Sequence, residues 1–193
     1  YLKKIIKKFD IIIPLASLVG APLCEFRKED AKSINLKGQL DLFKIVEKNQ
    51  LIIMPTTNSA YGSASGEVYC DENTKLNPIS DYAKHKVMVE SELMQKENAI
   101  SLRLATVFGM SPRMRIDLLV NDFVYKAIKD RYIVLFESHF KRNYIHVRDV
   151  CRAFIHTINN MNSMKSNIYN LGLSDANLSK KELCEEIKKY INF

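Results

Sequence analysis

The chain has 193 residues, of which 47% are hydrophobic, and a formal net charge of +7 at pH 7. This length can bury the core of one globular domain, or of one and a half. No apolar run approaches the ~20 residues that a transmembrane helix needs, so a membrane protein is not expected. The lysines are spread along helix faces without interleaved aromatic residues. Nucleic-acid binding is therefore not expected, whereas a positive field suits an anionic substrate.

Cysteine and histidine spacing gives no indication of a metal site. The cysteines are scattered, without a C-x-x-C pair, and the histidines show no ligand spacing. A disulfide framework is also not indicated, and a reducing, cytoplasmic location is predicted.

The first part of the chain patterns as a helix end, a buried strand and a second helix. Residues 2–9 alternate lysines with apolar residues at helical spacing, and residues 10–17 form a continuous apolar run that is typical of a buried strand. Pro14 is tolerable only near the end of that strand, because it cannot donate to a sheet. A helix is predicted over residues 30–49, with its apolar stripe formed by Ile34, Leu36, Leu40, Phe43 and Val46.

The next strand and helix contain the residues best suited to acid–base chemistry. Thr57 follows the apolar strand that begins at Leu51, and ligands of open α/β sheets bind at the carboxyl ends of strands. A helix is predicted over residues 81–95, with Tyr82 and Lys86 four positions apart on one face. An ammonium beside a phenol favours phenolate, so the pair is a plausible base.

The remaining segments predict further strands, turns and helices. A strand is expected over residues 99–109, and a turn with a helix after residue 110 contains Arg113, Arg115 and Asn121. Arginine side chains in this turn suit a diphosphate, although solvated loop arginines are common. Asp149 suits the amino end of the next helix. Ser179 and Glu182 have the spacing of a capping box before the last helix. Alternating strands and helices favour an α/β fold.

Several motifs together resemble one enzyme family. Thr57 lies five residues before the glycine of Tyr61-Gly62, and Tyr82 follows 25 residues after Thr57. The run RNYIHVRD, from Arg142 to Asp149, adds a second landmark. These features resemble the extended short-chain dehydrogenase/reductases, the NAD-dependent epimerase/dehydratase family, almost from end to end. A Rossmann-like parallel sheet with helices on both faces, its first strands absent, and a small mixed substrate lobe are therefore expected.

The resemblance also implies roles for individual residues. Thr57, Tyr82 and Lys86 would be catalytic, and Lys86 would also hold the nicotinamide ribose of NAD together with Tyr82. Cofactor contacts are implied for Leu15, Ala16, Ser17 and Asn35. A tight turn would explain the small residues equally well, and a position near a helix start would explain the asparagine. Substrate contacts with a nucleotide-diphosphate sugar are implied for Thr106, Arg113, Asn121 and Arg142. Thr106 would also be ordinary as a strand threonine.

The residue types in the turn after Thr57 bear on the reaction. Sugar 4,6-dehydratases of the resembled family have Asp-Glu directly after the threonine, whereas this chain has Asn58 and Ser59. Neither an amide nor a hydroxyl titrates near neutral pH, which argues against dehydration. An NAD-dependent nucleotide-sugar epimerase acting at C4 is predicted. The alternatives are a nucleotide-sugar keto-reductase using NADPH and a non-catalytic truncated binding module.

The Gly-rich phosphate loop of the resembled family is absent from this chain, where only Gly62 and Gly66 lie close together. A dinucleotide site needs such a loop, so roughly 60 residues, about two βα units, are expected to precede this sequence in a longer protein. Residues 1–109 are assigned to the NAD-binding domain. Residues 110–193 are assigned mostly to a substrate lobe, with segments returning to the core. The resemblance further implies a homodimer through helices near residues 35–49 and 81–97.

Overall fold

The computed structural model describes residues 1–62 and 69–193. The polar loop of residues 63–68, including Gly66, lies outside the described residues. The chain divides into two compact units. Unit 1 consists of Tyr1–Arg103 and His156–Asn170, and unit 2 consists of Leu104–Ile155 and Leu171–Phe193.

The strands are β1 (Ile11–Ile12), β2 (Leu51–Thr57), β3 (Ala99–Leu104), β4 (Thr106–Phe108), β5 (Lys141–His146), β6 (Asn167–Leu171) and β7 (Asn177–Ser179). The α-helices are α1 (Leu2–Ile5), α2 (Ala21–Phe26), α3 (Lys28–Ala31), α4 (Gly38–Ile45), α5 (Asp81–Leu93), α6 (Leu119–Lys129), α7 (Val147–Asn159), α8 (Met161–Met164) and α9 (Lys180–Lys188). Short 3-10 turns occupy Ile6–Lys8, Asn58–Tyr61 and Ser174–Ala176, and a π-helical stretch occupies Lys32–Lys37.

Unit 1 is built on a sheet with the strand order β1-β2-β3-β6. β1 and β2 run parallel, with Ile11 opposite Leu51. β2 begins with four buried residues, as expected for a parallel strand covered on both faces. Its Ile52 and Met54 join a core with Phe43 of α4 and with Val89 of α5. Thr57 therefore lies, as predicted, at the carboxyl end of a buried strand that packs against helices.

Unit 2 is built on a mixed sheet with the strand order β4-β5-β7. β4 and β5 are parallel, whereas β5 and β7 are antiparallel. The apolar faces of α6 and α9 form its main core around Tyr144, with Phe123 and Leu183 among the buried residues. The predicted capping box is present at α9, where Ser179 and Glu182 each accept from the other's backbone N–H.

The α/β class, with a parallel sheet and a second mixed sheet, is confirmed. Three predicted elements differ in detail. The helix predicted over residues 30–49 is interrupted by the π-helical stretch and ends at Ile45, because Val46 has extended backbone. The strand predicted over residues 10–17 pairs only at Ile11–Ile12. The strand predicted over 99–109 is two strands, which belong to different sheets.

Within residues 1–62 and 69–193, no helix has the length and hydropathy required to cross a bilayer. Across the same ranges, no three His, Cys, Asp or Glu side chains lie together as potential metal ligands.

Candidate active site

Thr57 ends β2 and is buried, with 8% of its surface exposed. Its Oγ1 accepts a hydrogen bond from the backbone N–H of Ser59 at 3.1 Å and thereby caps the 3-10 turn of Asn58–Tyr61. Among the described residues, no acceptor lies within hydrogen-bond distance of the Thr57 hydroxyl proton. The hydroxyl is therefore held in place by the backbone and keeps its proton for a ligand.

Tyr82 and Lys86 lie in the first two turns of α5. Ser80 is the N-cap of this helix, and its Oγ accepts from the backbone N–H of Ala83 at 3.2 Å. The helix continues without interruption to Leu93, so the two side chains keep the i, i+4 spacing that places them on one face. Tyr82 is half-buried, whereas Lys86 is only 4% exposed.

Lys86 brings a buried positive charge next to the last residues of β2. Its Nζ donates to the carbonyl oxygen of Pro55 at 3.2 Å, two residues before Thr57. Burial lowers the pKa of this ammonium to about 8, and the nearby Cys24 thiol partly opposes the shift. Pro55 is the only hydrogen-bond partner of Nζ among the described residues. The ammonium therefore has further N–H groups for the hydroxyls of a ligand.

The loop after β1 is held by a buried amide from the π-helical stretch. Asn35 is 0% exposed, and its Oδ1 accepts from Ser17 Oγ and from Leu18 N, both at 2.8 Å. Its Nδ2 donates to the Leu18 carbonyl oxygen at 2.8 Å. Asn35 thus lies within the helical stretch, not near its start. Because its amide is occupied by the loop, its influence on a ligand would pass through Ser17 and Leu18.

Leu15 and Ala16 precede this anchored loop and are exposed. Gln39, one turn after Asn35, donates from Nε2 to the Ala16 carbonyl oxygen at 2.8 Å. No sequence motif indicated a role for this glutamine, although its spacing from Asn35 on one helix face was a signal. An exposed segment whose backbone is fixed by side-chain hydrogen bonds fits close approach by a ligand.

The four residues predicted to contact substrate all lie in unit 2. Arg113 and Arg142 are exposed, and Thr106 is half-buried in β4 opposite Tyr144. Asn121 is buried, accepts from Gly109 N at 3.1 Å, and donates to the Arg115 carbonyl oxygen at 2.9 Å. The amide of Asn121 therefore shapes the turn after β4, and its predicted contact with substrate stays a prediction.

Glu90 of α5 and Arg103 of β3 form a buried ion pair that no sequence motif indicated. Their side chains are 5% and 3% exposed, and Arg103 Nη2 lies 2.6 Å from Glu90 Oε1. Glu90 stands four residues after Lys86, which is the one sequence signal that places it on the same helix face.

The residues present fit the nicotinamide-ribose end of a dinucleotide. Among the described residues the buried Lys86 ammonium has one acceptor, and Leu15 and Ala16 are exposed beside an anchored backbone. No Gly-x-x-Gly-x-x-Gly loop, which would hold the pyrophosphate, is part of the sequence.

Solved structures share this fold. A dTDP-glucose 4,6-dehydratase from Bacillus anthracis str. Ames in complex with NAD matches 97% of this chain with a TM-score of 0.83 and 20% identity. A UDP-N-acetylglucosamine 4-epimerase from Methanobrevibacter ruminantium M1, in complex with UDP-N-acetylmuramic acid, matches 97% with a TM-score of 0.83 and 22% identity. A UDP-glucose 4-epimerase from Thermus thermophilus, in complex with NAD, matches 97% with a TM-score of 0.83 and 19% identity.

The chain spans 59%, 62% and 64% of the lengths of these three structures, respectively. At these identities the similarity shows a shared fold. The family is established independently, because the model of the NAD dependent epimerase/dehydratase family matches residues 1–172. The chain belongs to the NAD dependent epimerase/dehydratase family.

Proposed function

We propose that this chain is part of an NAD-dependent epimerase that oxidises and re-reduces C4 of a nucleotide-diphosphate sugar. The observation that carries the proposal is the buried Lys86 ammonium, bonded to Pro55 beside Thr57 and placed one helical turn from Tyr82. A phenol, an ammonium and a hydroxyl in this arrangement can remove and return the proton of a sugar alcohol.

Tyr82 acts as the base in this proposal. In the forward half-reaction the phenolate takes the proton of the C4 hydroxyl, the C4–H bond breaks, and a carbonyl forms at C4. NAD, held through Lys86 and Tyr82, would supply the hydride acceptor for C4 and the hydride donor for the return step. The keto-sugar turns over before the hydride returns to its other face, and Tyr82 gives back the proton. No net oxidation results.

Lys86 and Thr57 both stabilise the charge that develops during reaction of the C4 hydroxyl. The Lys86 charge favours phenolate at Tyr82, and its unfilled N–H groups hold the ribose hydroxyls of the cofactor. The Thr57 hydroxyl, whose orientation is set by Ser59, donates to the reacting oxygen as negative charge develops there. A hydrogen bond that strengthens in the transition state lowers the barrier more than one made equally to the ground state.

Asn58 and Ser59 support epimerisation over dehydration. They occupy the positions where an acid and a base would be needed to remove water, and neither side chain titrates near neutral pH. A keto-reductase would use the same Tyr82, Lys86 and Thr57 but would release a reduced product at the expense of NADPH. A binding module without catalysis would turn over none of these substrates.

The remaining assignments belong to the same proposal. Residues 1–109 contribute to the cofactor domain and residues 110–193 mostly to the substrate lobe. Leu15, Ala16 and Ser17 approach the cofactor, and Thr106, Arg113, Asn121 and Arg142 contact the nucleotide sugar. The protein acts in the cytoplasm as a homodimer through the helices near residues 35–49 and 81–97.

The test uses the longest natural polypeptide that contains this chain, incubated with a panel of nucleotide sugars. NADH absorbance is followed and product stereochemistry is determined. Inversion at C4 with no net NADH accumulation supports the proposal. Stoichiometric consumption of NADPH would favour the keto-reductase, and binding without turnover of any sugar would favour the non-catalytic module.

A further inference from the structure

The ion pair of Glu90 and Arg103 is the centre of a buried polar network within unit 1. The Arg103 Nε–H and Nη2–H groups both donate to Glu90, at 3.0 Å and 2.6 Å from Oε1. The two charges are almost completely removed from water. Removing one partner of such a pair leaves an uncompensated buried charge, whereas replacing both with apolar residues is often neutral or stabilising. Fold stability alone therefore does not explain why the chain has a buried ion pair at this position.

Glu90 connects α5 to the end of β2. Its Oε2 accepts from Thr56 Oγ1 at 3.0 Å and from Ser101 Oγ at 2.6 Å. Thr56 stands between Pro55, whose carbonyl accepts from Lys86, and Thr57. Consecutive residues of β2 are thus tied to two successive turns of α5.

Arg103 connects the ion pair to the end of the 3-10 turn that follows Thr57. Its Nη1 donates to Tyr61 Oη at 2.7 Å and to the Glu72 carbonyl oxygen at 3.2 Å. The guanidinium also lies over the Tyr61 ring, 5.2 Å from its centroid. Tyr61 is the last residue of the 3-10 turn that follows Thr57. It donates in turn to Asn170 Oδ1 at 2.7 Å.

The network therefore contacts the chain on both sides of Thr57, through Thr56 before it and Tyr61 after it. We propose that Glu90 and Arg103 are positioning residues that fix Thr57 relative to the face of α5 carrying Tyr82 and Lys86. This role rests on the proposed function, since it matters for a reaction that needs the three groups in one geometry. Displacements near 1 Å are enough to reduce catalysis strongly.

The test compares three variants of this chain. The double variant Glu90→Leu with Arg103→Met removes both charges together. Arg103→Lys keeps the charge but loses the planar fork that serves Glu90 and Tyr61 at once. Lys84→Met is the matched control on α5, since its side chain is 53% exposed and pairs with Asp81 at the surface.

The readout is the pH profile of acylation at Lys86, measured by mass spectrometry, beside thermal unfolding of each variant. In the double variant we expect a melting temperature near that of the parent chain and a Lys86 pKa displaced from about 8 toward 10.5. The displacement should be about one unit or more, because a loosened contact between α5 and β2 admits water to the ammonium. The control should reproduce the parent profile.

An unchanged Lys86 profile in a folded double variant overturns the proposal. If the double variant does not fold, the Arg103→Lys variant decides between the outcomes. We expect a smaller displacement of the Lys86 pKa in the same direction. An unchanged acylation profile in this variant would count against the positioning role. The acylation profile needs neither NAD nor a sugar. A failed positioning role is therefore distinguishable from a failed assignment of the epimerase.

Discussion

The ammonium of Lys86 donates to the carbonyl oxygen of Pro55 at 3.2 Å, and Pro55 precedes Thr57 by two residues. This contact joins the helix that carries Tyr82 to the strand that ends in Thr57. It also requires the chain to keep a positive charge in a position that is 4% exposed. Burying that charge costs free energy, which makes Lys86 the most informative position for stability measurements.

Replacing Lys86 by Met should stabilise the fold at pH 7 by up to about 3 kcal/mol, since one pKa unit corresponds to about 1.4 kcal/mol. The folded-state pKa of about 8 lies below the ordinary 10.5. The cost of the buried charge is thus fully present below pH 8 and disappears as pH rises toward 10.5. Urea unfolding of both chains between pH 7 and 10.5 measures the difference.

The parent chain should gain stability relative to Lys86→Met across that pH range, because its unfolded state binds more protons there. The exposed Lys84→Met serves as the control and should change the free energy of unfolding by no more than about 0.5 kcal/mol. A constant difference between the parent and Lys86→Met at all pH values would contradict the low pKa of Lys86.

Replacing Tyr82 by Phe should lower turnover by roughly 10²–10⁴-fold, the usual contribution of a general base. The measurement uses the longest polypeptide that shows epimerase activity, at saturating nucleotide sugar. Tyr82 is half-buried, and Phe keeps its ring, so the thermal unfolding of the variant should resemble that of the parent. Near-normal turnover in the folded variant would remove Tyr82 from the mechanism.

Replacing Asn35 by Asp should destabilise unit 1 by about 1–3 kcal/mol or more, because a buried donor is lost and an acceptor is left without its partner. The amide of Asn35 donates to the Leu18 carbonyl oxygen at 2.8 Å, which a carboxylate cannot do. Urea unfolding at neutral pH gives the change. Asn160→Asp is the control, since Asn160 also donates to a carbonyl, that of His156 at 2.8 Å, but is exposed. Equal losses in both variants would argue against the loop-holding role of Asn35.

Replacing Gly62 by Ala should cost about 1–3 kcal/mol for the backbone conformation alone. Gly62 has a φ of +77°, and an added Cβ would overlap the carbonyl oxygen of Asn77. Gly38→Ala offers the comparison, because Gly38 has a helical φ of −61° and an added Cβ there would lie 3.3 Å from Ser33 O. Chemical denaturation of the two variants should show a clear loss at position 62 and a small change at position 38. Similar effects at both positions would exclude strain at the turn.

Local patterns were enough to locate the helix that bears Tyr82 and Lys86. Its i, i+4 spacing and the apolar run of β2 are short-range features, and each is present as expected. The capping box of α9 is likewise a local motif. Such features depend on residues within about one turn of each other, so neighbouring side chains decide them.

Other features depend on residues far apart in the chain. Residues 99–109 were predicted as one strand, yet β3 pairs in one sheet and β4 pairs with β5 in another. The π-helical stretch places Asn35 against Leu18, 17 residues earlier. Neither arrangement has a periodicity signal, because both are set by partners that only folding brings near.

Residue order and spacing determined the family and the α/β class, because those follow from motifs and short-range periodicity. Folding alone decided how deeply Lys86 is buried, and hence that its pKa falls to about 8. It also decided that Glu90 meets Arg103 across a helix–strand contact. Desolvation and ion pairing depend on distance in space, and no local pattern of residues specifies that distance.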